Sequence, residues 1–291
     1  MADSERLVAL SDWKQHVRRT SEGYYELSTE DTGGVPVRLF LTPKLLADAE
    51  TMLYRQIVNA TRFPGVKLVA ITPDSHYGYG VPVGCVILTD ASHGAVAMGP
   101  VGFDIGCGMM SAQSDVLAEQ ATPDKRREFN RAVMERVEMG QGGRSTRLRN
   151  LDTREFNELI RGGAEYYVDK FGASFDRSRA ERHRIPVDDS WDVPWGKQGR
   201  PERGVTQLGS LGGGNHFIEL CLDTENTVWM MLHSGSRNIG KTLAEIHIST
   251  AKKLTHNTYL PDRDLAVFLA NTPEMEAYRR DLFWAQRYAL L

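Results

Sequence analysis

Three glycine-rich stretches of this 291-residue chain each set a metal-ligating side chain beside residues too small to obstruct it. In GFDIGCGMM, Gly102 to Met110, Asp104 and Cys107 stand three apart among Gly102, Gly106 and Gly108. Sharp turns there can bring a carboxylate and a thiolate onto one ion, although a cysteine alone is more often a small buried hydrophobe. In LGGGNHFIEL, three glycines precede Asn215 and His216, and Glu219 follows along an expected strand. The third stretch, VWMMLHSGSRNIG, ends an apolar run on His233. Each histidine alone reads equally as a satisfied core residue. A fourth loop, PDSHYGYGVPVG, places Asp74 and His76 at a glycine-spaced strand entry, a natural rim for a polar substrate; His76 fits a ligand and a turn-stabilising donor equally. His93 reads as a surface turn residue, and His16, His183, His247 and His256 as structural or exposed. Thiolate, imidazole and carboxylate together suit zinc or another first-row metal such as Mn, Co or Ni, without choosing among them.

The segment around His233 has a competing reading. Gly235-x-x-x-x-Gly240-Lys241-Thr242 has the spacing of a P-loop, in which backbone N–H groups wrap phosphates at a helix N-terminus. Against it, the residues after Thr242 are nearly all helical in pattern, and no following apolar strand supplies an Asp for Mg2+; Asp223, upstream in FIELCLD, would have to serve.

These loops need strands to hold them. KLVAIT, VPVGCVILTD, GAVAM and GMMSAQSD read as short strands, so that 74–112 is strands carrying loops, and TQLGSLGGGNHFIELCLD and TVWMMLHSGS supply two more. In the first of these, period two puts His216 and Ile218 on one face and Phe217 and Glu219 on the other if the strand is regular. One helix is expected from the Thr42 cap and Pro43 to FPG at 63–65, with Leu45, Leu46, Ala49, Met52, Leu53 and Ile57 on its apolar face. Helices over 123–138 and 153–171 follow the caps Thr122 and Asp152, and the final fifty residues are mostly helix. Strands and helices mix without regular βαβ alternation, which indicates an α+β fold.

Composition sets limits on partners and compartment. At 41% hydrophobic and 25% charged, the chain is globular in character and can bury a core without staples. A net charge of −3 confines any nucleic-acid contact to a patch, for which GGRSTRLRN and DRSRAERHR are candidates, although each reads more readily as a solvated surface. Three cysteines, Cys85, Cys107 and Cys221, make no disulfide framework and fit a reducing cytoplasm. No signal peptide and no apolar run of about 18 residues is present, so no membrane partner is expected.

Taken together, TPDSHYGYGVPVG, GPVGFDIGCGM, QLGSLGGGNHFIEL, LHSGSRNIG and the helical AQRYA near the end resemble, in order, the RtcB family of RNA ligases, often called tRNA-splicing ligases. The resemblance implies a single RtcB-like catalytic domain over 1–291, whose enzyme uses GTP and Mn2+, two ions per site, to join RNA 3′-phosphate or 2′,3′-cyclic phosphate ends to 5′-hydroxyl ends. It implies that Asp104, Cys107 and His216 hold one Mn2+, that Cys107 bridges to a second held with His233, that Asn215, His216, Phe217, Ile218 and Glu219 border the guanylate, and that Asp74 lines the same cleft as a catalytic residue. The family continues beyond the equivalent of Leu291, with a further metal-binding histidine, the histidine that is guanylylated and a nucleotide-contacting lysine. The C-terminal part of the family domain is therefore expected to be absent from these residues. The alternatives are a non-catalytic metal- or RNA-binding remnant and a P-loop NTPase using Gly235 to Thr242. The RNA substrate, the oligomeric state and any activating protein partner lie beyond the sequence.

Overall fold

The structure, a computed structural model, describes residues 13–140, 152–171, 178, 181, 201–258, 260 and 262–290. The fold is α+β, and the chain divides into two compact units: Met1–Gly102 with Ile246–Arg279, and Phe103–Glu245 with Arg280–Leu291. The basic stretch GGRSTRLRN lies outside the described residues, as does DRSRAERHR apart from Ser178 and Glu181. Among the described residues no helix is long and apolar enough to cross a membrane.

In the first unit, strands β1 (Val17–Arg19), β2 (Tyr25–Leu27) and β3 (Val37–Leu39) pair antiparallel in succession. The chain then crosses through helices α1 (Pro43–Asp48) and α2 (Leu53–Ala60) into β4 (Val66–His76), parallel to β3, and β5 (Val83–Thr89) returns antiparallel. α2 lays Leu53, Tyr54, Ile57 and Val58 in a core with Leu39, Val69 and Ile71. Each such fully buried aliphatic side chain contributes about 1.5–3 kcal/mol. The single helix expected from Pro43 onward is thus two. Ala49 turns to φ −56°, ψ 136°, which ends α1, whose side chains are at most half-buried, Leu46 and Ala49 packing against the core; Glu50, just past the break, accepts the Tyr77 N–H at 2.9 Å. Between β6 (Ala95–Ala97), which pairs antiparallel with the strand Val267–Leu269, and the glycine-rich stretch at 102–110, a short helix α3 (Met98–Val101) interrupts what the sequence suggested was strand and loop alone.

β4 is irregular where it carries the polar loop: its register with β5 shifts between Ile71 and His76, and Thr72 Oγ1 donates to Gly84 O at 3.0 Å. Beyond it the turn at Gly78 and Gly80 is fastened to α2. Gln56 Nε2 donates to Gly78 O at 2.6 Å, Gly78 N–H donates back to Gln56 Oε1 at 2.9 Å, and Asn59 Nδ2 donates to Gly80 O at 2.8 Å.

In the second unit, β7 (Gly108–Leu117), β8 (Phe217–Leu222) and β9 (Thr227–Ser234) form an antiparallel sheet in the order β7-β9-β8. Asp223 closes the β8–β9 turn by accepting from Glu225 N, Thr227 N and Trp229 Nε1, the last at 2.7 Å. Those bonds, the indole's first, hold its carboxyl below the ordinary range. Helix α4 (Pro123–Arg136) is capped by Thr122, and α5 (Thr153–Gly162) by Asp152 with Glu155 reciprocating. The helix expected over 153–171 breaks at Gly163, whose φ 67°, ψ −150° only glycine adopts readily, and resumes as α6 (Ala164–Phe171). α7 (Pro201–Gln207), α8 (Asn238–Ala251) and α9 (Pro273–Ala289) complete the elements. Phe156 of α5 meets Tyr288 edge to face, and Trp284 Nε1 donates to Ile160 O at 3.1 Å, which docks the end of α9 in this unit.

Gln56 is 3% exposed and makes both bonds to Gly78, so truncation leaves the half-buried Gly78 N–H and C=O without these partners. Gln56→Ala is expected to lower stability by about 1–3 kcal/mol in urea unfolding, with the slope of the transition unchanged.

Candidate metal centre

The Cys107 loop is built by a tight turn. Cys107 N–H donates to Asp104 O at 2.8 Å, and Gly106 takes φ 80° at the corner. Glycine is needed there for space as well as conformation, because a Cβ would lie 2.8 Å from Ala289 Cβ and 3.1 Å from Gln286 Cα. The AQRYA segment at the end of α9 is therefore the backing of this turn. Immediately afterwards the chain enters β7, where Met109 lies opposite His233 of β9, and Phe217 of β8 lies opposite His233 from the other side.

Four of the residues singled out in the sequence come together here. Cys107 Sγ is 3.0 Å from His233 Nε2 and 3.5 Å from His216 Nε2, and the three donor atoms lie within 4.8 Å of one another. Asp104 Oδ2 joins through His216, 2.9 Å from its Nε2. Sulfur and nitrogen bound tetrahedrally to one first-row cation stand about 3.6 Å apart, which the Cys107–His216 spacing matches, while the Cys107–His233 spacing is shorter at 3.0 Å. The order of neighbours is Asp104, His216, Cys107, His233, with the sulfur between the two imidazoles.

His216 reaches this position from outside β8. The strand begins at Phe217, so the alternation expected to pair His216 with Ile218 does not govern it. Its Nδ1 lies 2.9 Å from Leu211 O, which only accepts, so that nitrogen donates there, and Nε2 faces Cys107 and Asp104. Ser234 Oγ donates to the same carbonyl at 2.8 Å, tying the residue after His233 to the loop before His216. Gly212, at φ 112°, leaves the room that the His216 ring occupies.

Asp104 is held from the His233 side. Arg237 N–H donates to its Oδ1 at 2.8 Å and Ser236 Oγ at 3.3 Å, while a Cβ on Gly235 would meet its Oδ2 at 2.6 Å. These contacts remove the P-loop reading. The loop amide that would wrap a phosphate already serves a protein carboxylate, Thr242 Oγ1 donates to Asn238 O at 2.9 Å, and Lys241 Nζ is 3.6 Å from Glu245 Oε1. Ser236, fully buried, and Arg237, left-handed at φ 61°, were not identified from the sequence as site residues. The signal available was the GSR tripeptide following a histidine.

The remaining residues are placed as follows. Asn215 and Glu219 are exposed, Phe217 and Ile218 half-buried, and the Phe217 ring meets the edge of His233 at 5.4 Å between centroids. Asp74 belongs to the first unit, exposed in the irregular part of β4, with His76 Nδ1 2.9 Å from its carbonyl oxygen. His93 lies in an exposed turn with Asp90 and Ser92, and His247 is buried against Phe268 and Tyr278.

Desolvation first, and the Asp104 carboxylate second, push the Cys107 thiol up to about 11. Through neutral pH the sulfur keeps its proton, and a cation that binds it as thiolate must displace that proton. Apparent metal affinity is therefore expected to rise about tenfold per pH unit between about pH 7 and 9 in competition with a chelator, and to lose that slope in Cys107→Ser. Ser236→Ala, which loosens Asp104 without touching Cys107, His216 or His233, is expected to weaken metal binding about 10- to 100-fold by titration calorimetry.

Residues 56–291 match the sequence model of the family described as tRNA-splicing ligase RtcB. The RNA-splicing ligase RtcB of Escherichia coli K12 is 33% identical over 280 residues, covering 92% of this chain and 60% of the relative. The tRNA-splicing ligases RtcB of Methanococcus maripaludis and Archaeoglobus fulgidus are 30% and 31% identical, covering 95% and 88% of this chain and 61% and 56% of the relatives. The chain thus spans about three-fifths of the length of the curated relatives it matches. With its cysteine, histidine and aspartate loops gathered at one place and four-fifths of its length matched, the chain belongs to the RtcB family.

Proposed function

We propose that this chain carries the metal-holding part of a GTP- and Mn2+-dependent RNA ligase that joins 3′-phosphate or 2′,3′-cyclic phosphate ends to 5′-hydroxyl ends. The observation that carries the reading is the Cys107 sulfur set between the His216 and His233 imidazoles, with the Asp104 carboxylate against His216, in a member of this family. In this reading Asp104, Cys107 and His216 hold one Mn2+, and Cys107 and His233 a second. Such ions supply neutralisation of phosphate charge and alignment of the attacked phosphorus.

The chain's own residues then have defined tasks. Cys107 Sγ gives up its proton on metal binding; His216, its Nδ1 proton held by Leu211 O, presents Nε2; Ser236 and Arg237 N–H orient Asp104. Asn215 to Glu219 border the guanylate, and Asp74 is a catalytic carboxylate of the same reaction. In the second unit both described histidines, His216 and His233, belong to the cluster, so no described histidine of that unit is left to accept a nucleotide. In this reading the histidine that accepts the nucleotide in the family belongs to the part of the relatives that this chain does not match.

Incubation with radiolabelled GTP and Mn2+ followed by a denaturing gel is expected to show no covalent GMP on the 291-residue chain, while equilibrium dialysis shows Mn2+ bound and Cys107→Ala lowering its affinity at least about 100-fold. A labelled chain would overturn the division of labour. Mn2+ binding indifferent to Cys107→Ala would overturn the site.

A further inference from the structure

Helix α4 sorts its charges by face. At about 3.6 residues per turn, Arg126, Arg127, Asn130, Arg131 and Met134 fall within an arc of about 140°, while Asp124, Glu128 and Glu135 gather on the strip beside it. Every residue of the arc is exposed, Met134 at 73%, and the helix buries none of its side chains. Phe129, Ala132 and Val133, half-buried, seat it from the remaining side. Arg127 pairs with Asp124 at the surface, a contact worth little in water, and Arg126 and Arg131 make no ion pair among the described residues. The arc is a concentration of positive charge in a chain whose net charge is −3, and it lies outside both basic stretches singled out in the sequence.

The helix is also tethered to the metal centre. β7 leaves the Cys107 turn at Gly108 and carries the chain to the start of α4; past Arg136 the chain returns to the loop that holds His216. There Gly140 N–H donates to Gly212 O at 2.6 Å, Leu211 N–H donates to Glu138 O at 2.9 Å, and Arg237 Nη2 donates to Gly140 O at 3.3 Å. The C-terminal end of α4 is thus bonded, within a few residues, to the loop whose Leu211 carbonyl orients the His216 ring.

We propose that the Arg126, Arg127 and Arg131 face of α4 is a track for the RNA strand whose end is seated at the metal centre, the guanidinium groups meeting backbone phosphates and Asn130 and Met134 the nucleotides between them. The inference rests on the reading of this chain as part of an RNA ligase, and names the surface that holds the strand behind its reacting end. Guanidinium forks match phosphate oxygens in charge and geometry. From Arg126 to Met134 the arc is about 12 Å long, room for a few nucleotides. An acidic chain repels RNA over most of its surface, so a strand lies where cations are grouped and unpaired. A protein partner is favoured less, because its interface would centre on aromatic or aliphatic anchors and the arc offers only Met134.

The test measures binding of a fluorescent single-stranded RNA bearing a 3′-phosphate to the whole 291-residue chain by polarisation, over a series of salt concentrations in chelator without metal or GTP. Replacing Arg126, Arg127 and Arg131 together by Gln removes three phosphate contacts from exposed positions. The slope of log affinity against log salt is expected to become shallower by about 2, and affinity at about 0.1 M salt to fall at least about tenfold. Replacing the same three by Lys is expected to keep the slope. The control removes equal charge elsewhere, with Arg18, Arg19 and Lys44, all exposed, replaced by Gln, and is expected to change affinity less than about twofold. An unchanged slope in the first variant, loss of the slope in the Lys variant, or equal loss in the control would overturn the proposal. So would the absence of RNA binding by the unsubstituted chain, and so would polyglutamate competing as well as RNA of equal charge, which would assign the arc to an acidic protein. The ligase reading is tested separately through Mn2+ binding and Cys107→Ala, neither of which enters this measurement, so the two can fail independently.

Discussion

The hydrogen bond from the Arg237 amide to the Asp104 carboxylate governs the geometry of the centre. It draws the Asp104–Cys107 turn onto the loop that follows His233, and most local peculiarities are consequences of that approach. Gly235 lacks a side chain because the carboxylate lies where one would be, Ser236 is buried to reach the same oxygen, and Arg237 accepts a left-handed backbone at φ 61°. A non-glycine residue held there costs on the order of 1–3 kcal/mol and persists only where its surroundings fix it. Here the fixing group is an acidic side chain 133 residues away in sequence.

A second fixed point is a backbone oxygen. Leu211 O accepts from His216 Nδ1 and from Ser234 Oγ, so one carbonyl sets both the ring that faces Asp104 and the loop that presents His233. The third is steric, the close seat of Gly106 on Gln286 and Ala289 of α9. Each of the ligating loops is thus positioned by a group on a different element. Glycine-rich connections, which have little preference of their own, need that external definition.

This explains what the sequence could and could not disclose. Residue type and local spacing singled out Asp104, Cys107, His216 and His233, which the structure gathers, because candidate ligands are particular side chains beside small neighbours. Strands β4, β5, β7, β8 and β9 were legible from their apolar runs, and the Thr122 and Asp152 caps from the residues that follow them. Leu211 O has no sequence signature, since every residue carries a carbonyl. The break at Ala49 was invisible because the apolar period continues through it, with Leu46 before and Leu53 after both reaching the core. The P-loop spacing misled for a related reason: a local pattern records which amides are available and says nothing of the anion that occupies them.

Strand β9 belongs to two surfaces at once. His233 lies on the face that meets Cys107, while its neighbour Leu232 and, two further back, Met230 lie on the opposite face. A strand is stiff along its length and its alternate side chains share one backbone, so whatever orders one face limits the freedom of the other. A cation held at His233 and anything that contacts the opposite face would then be thermodynamic effectors of each other, and the factor by which one tightens the other is the same in both directions.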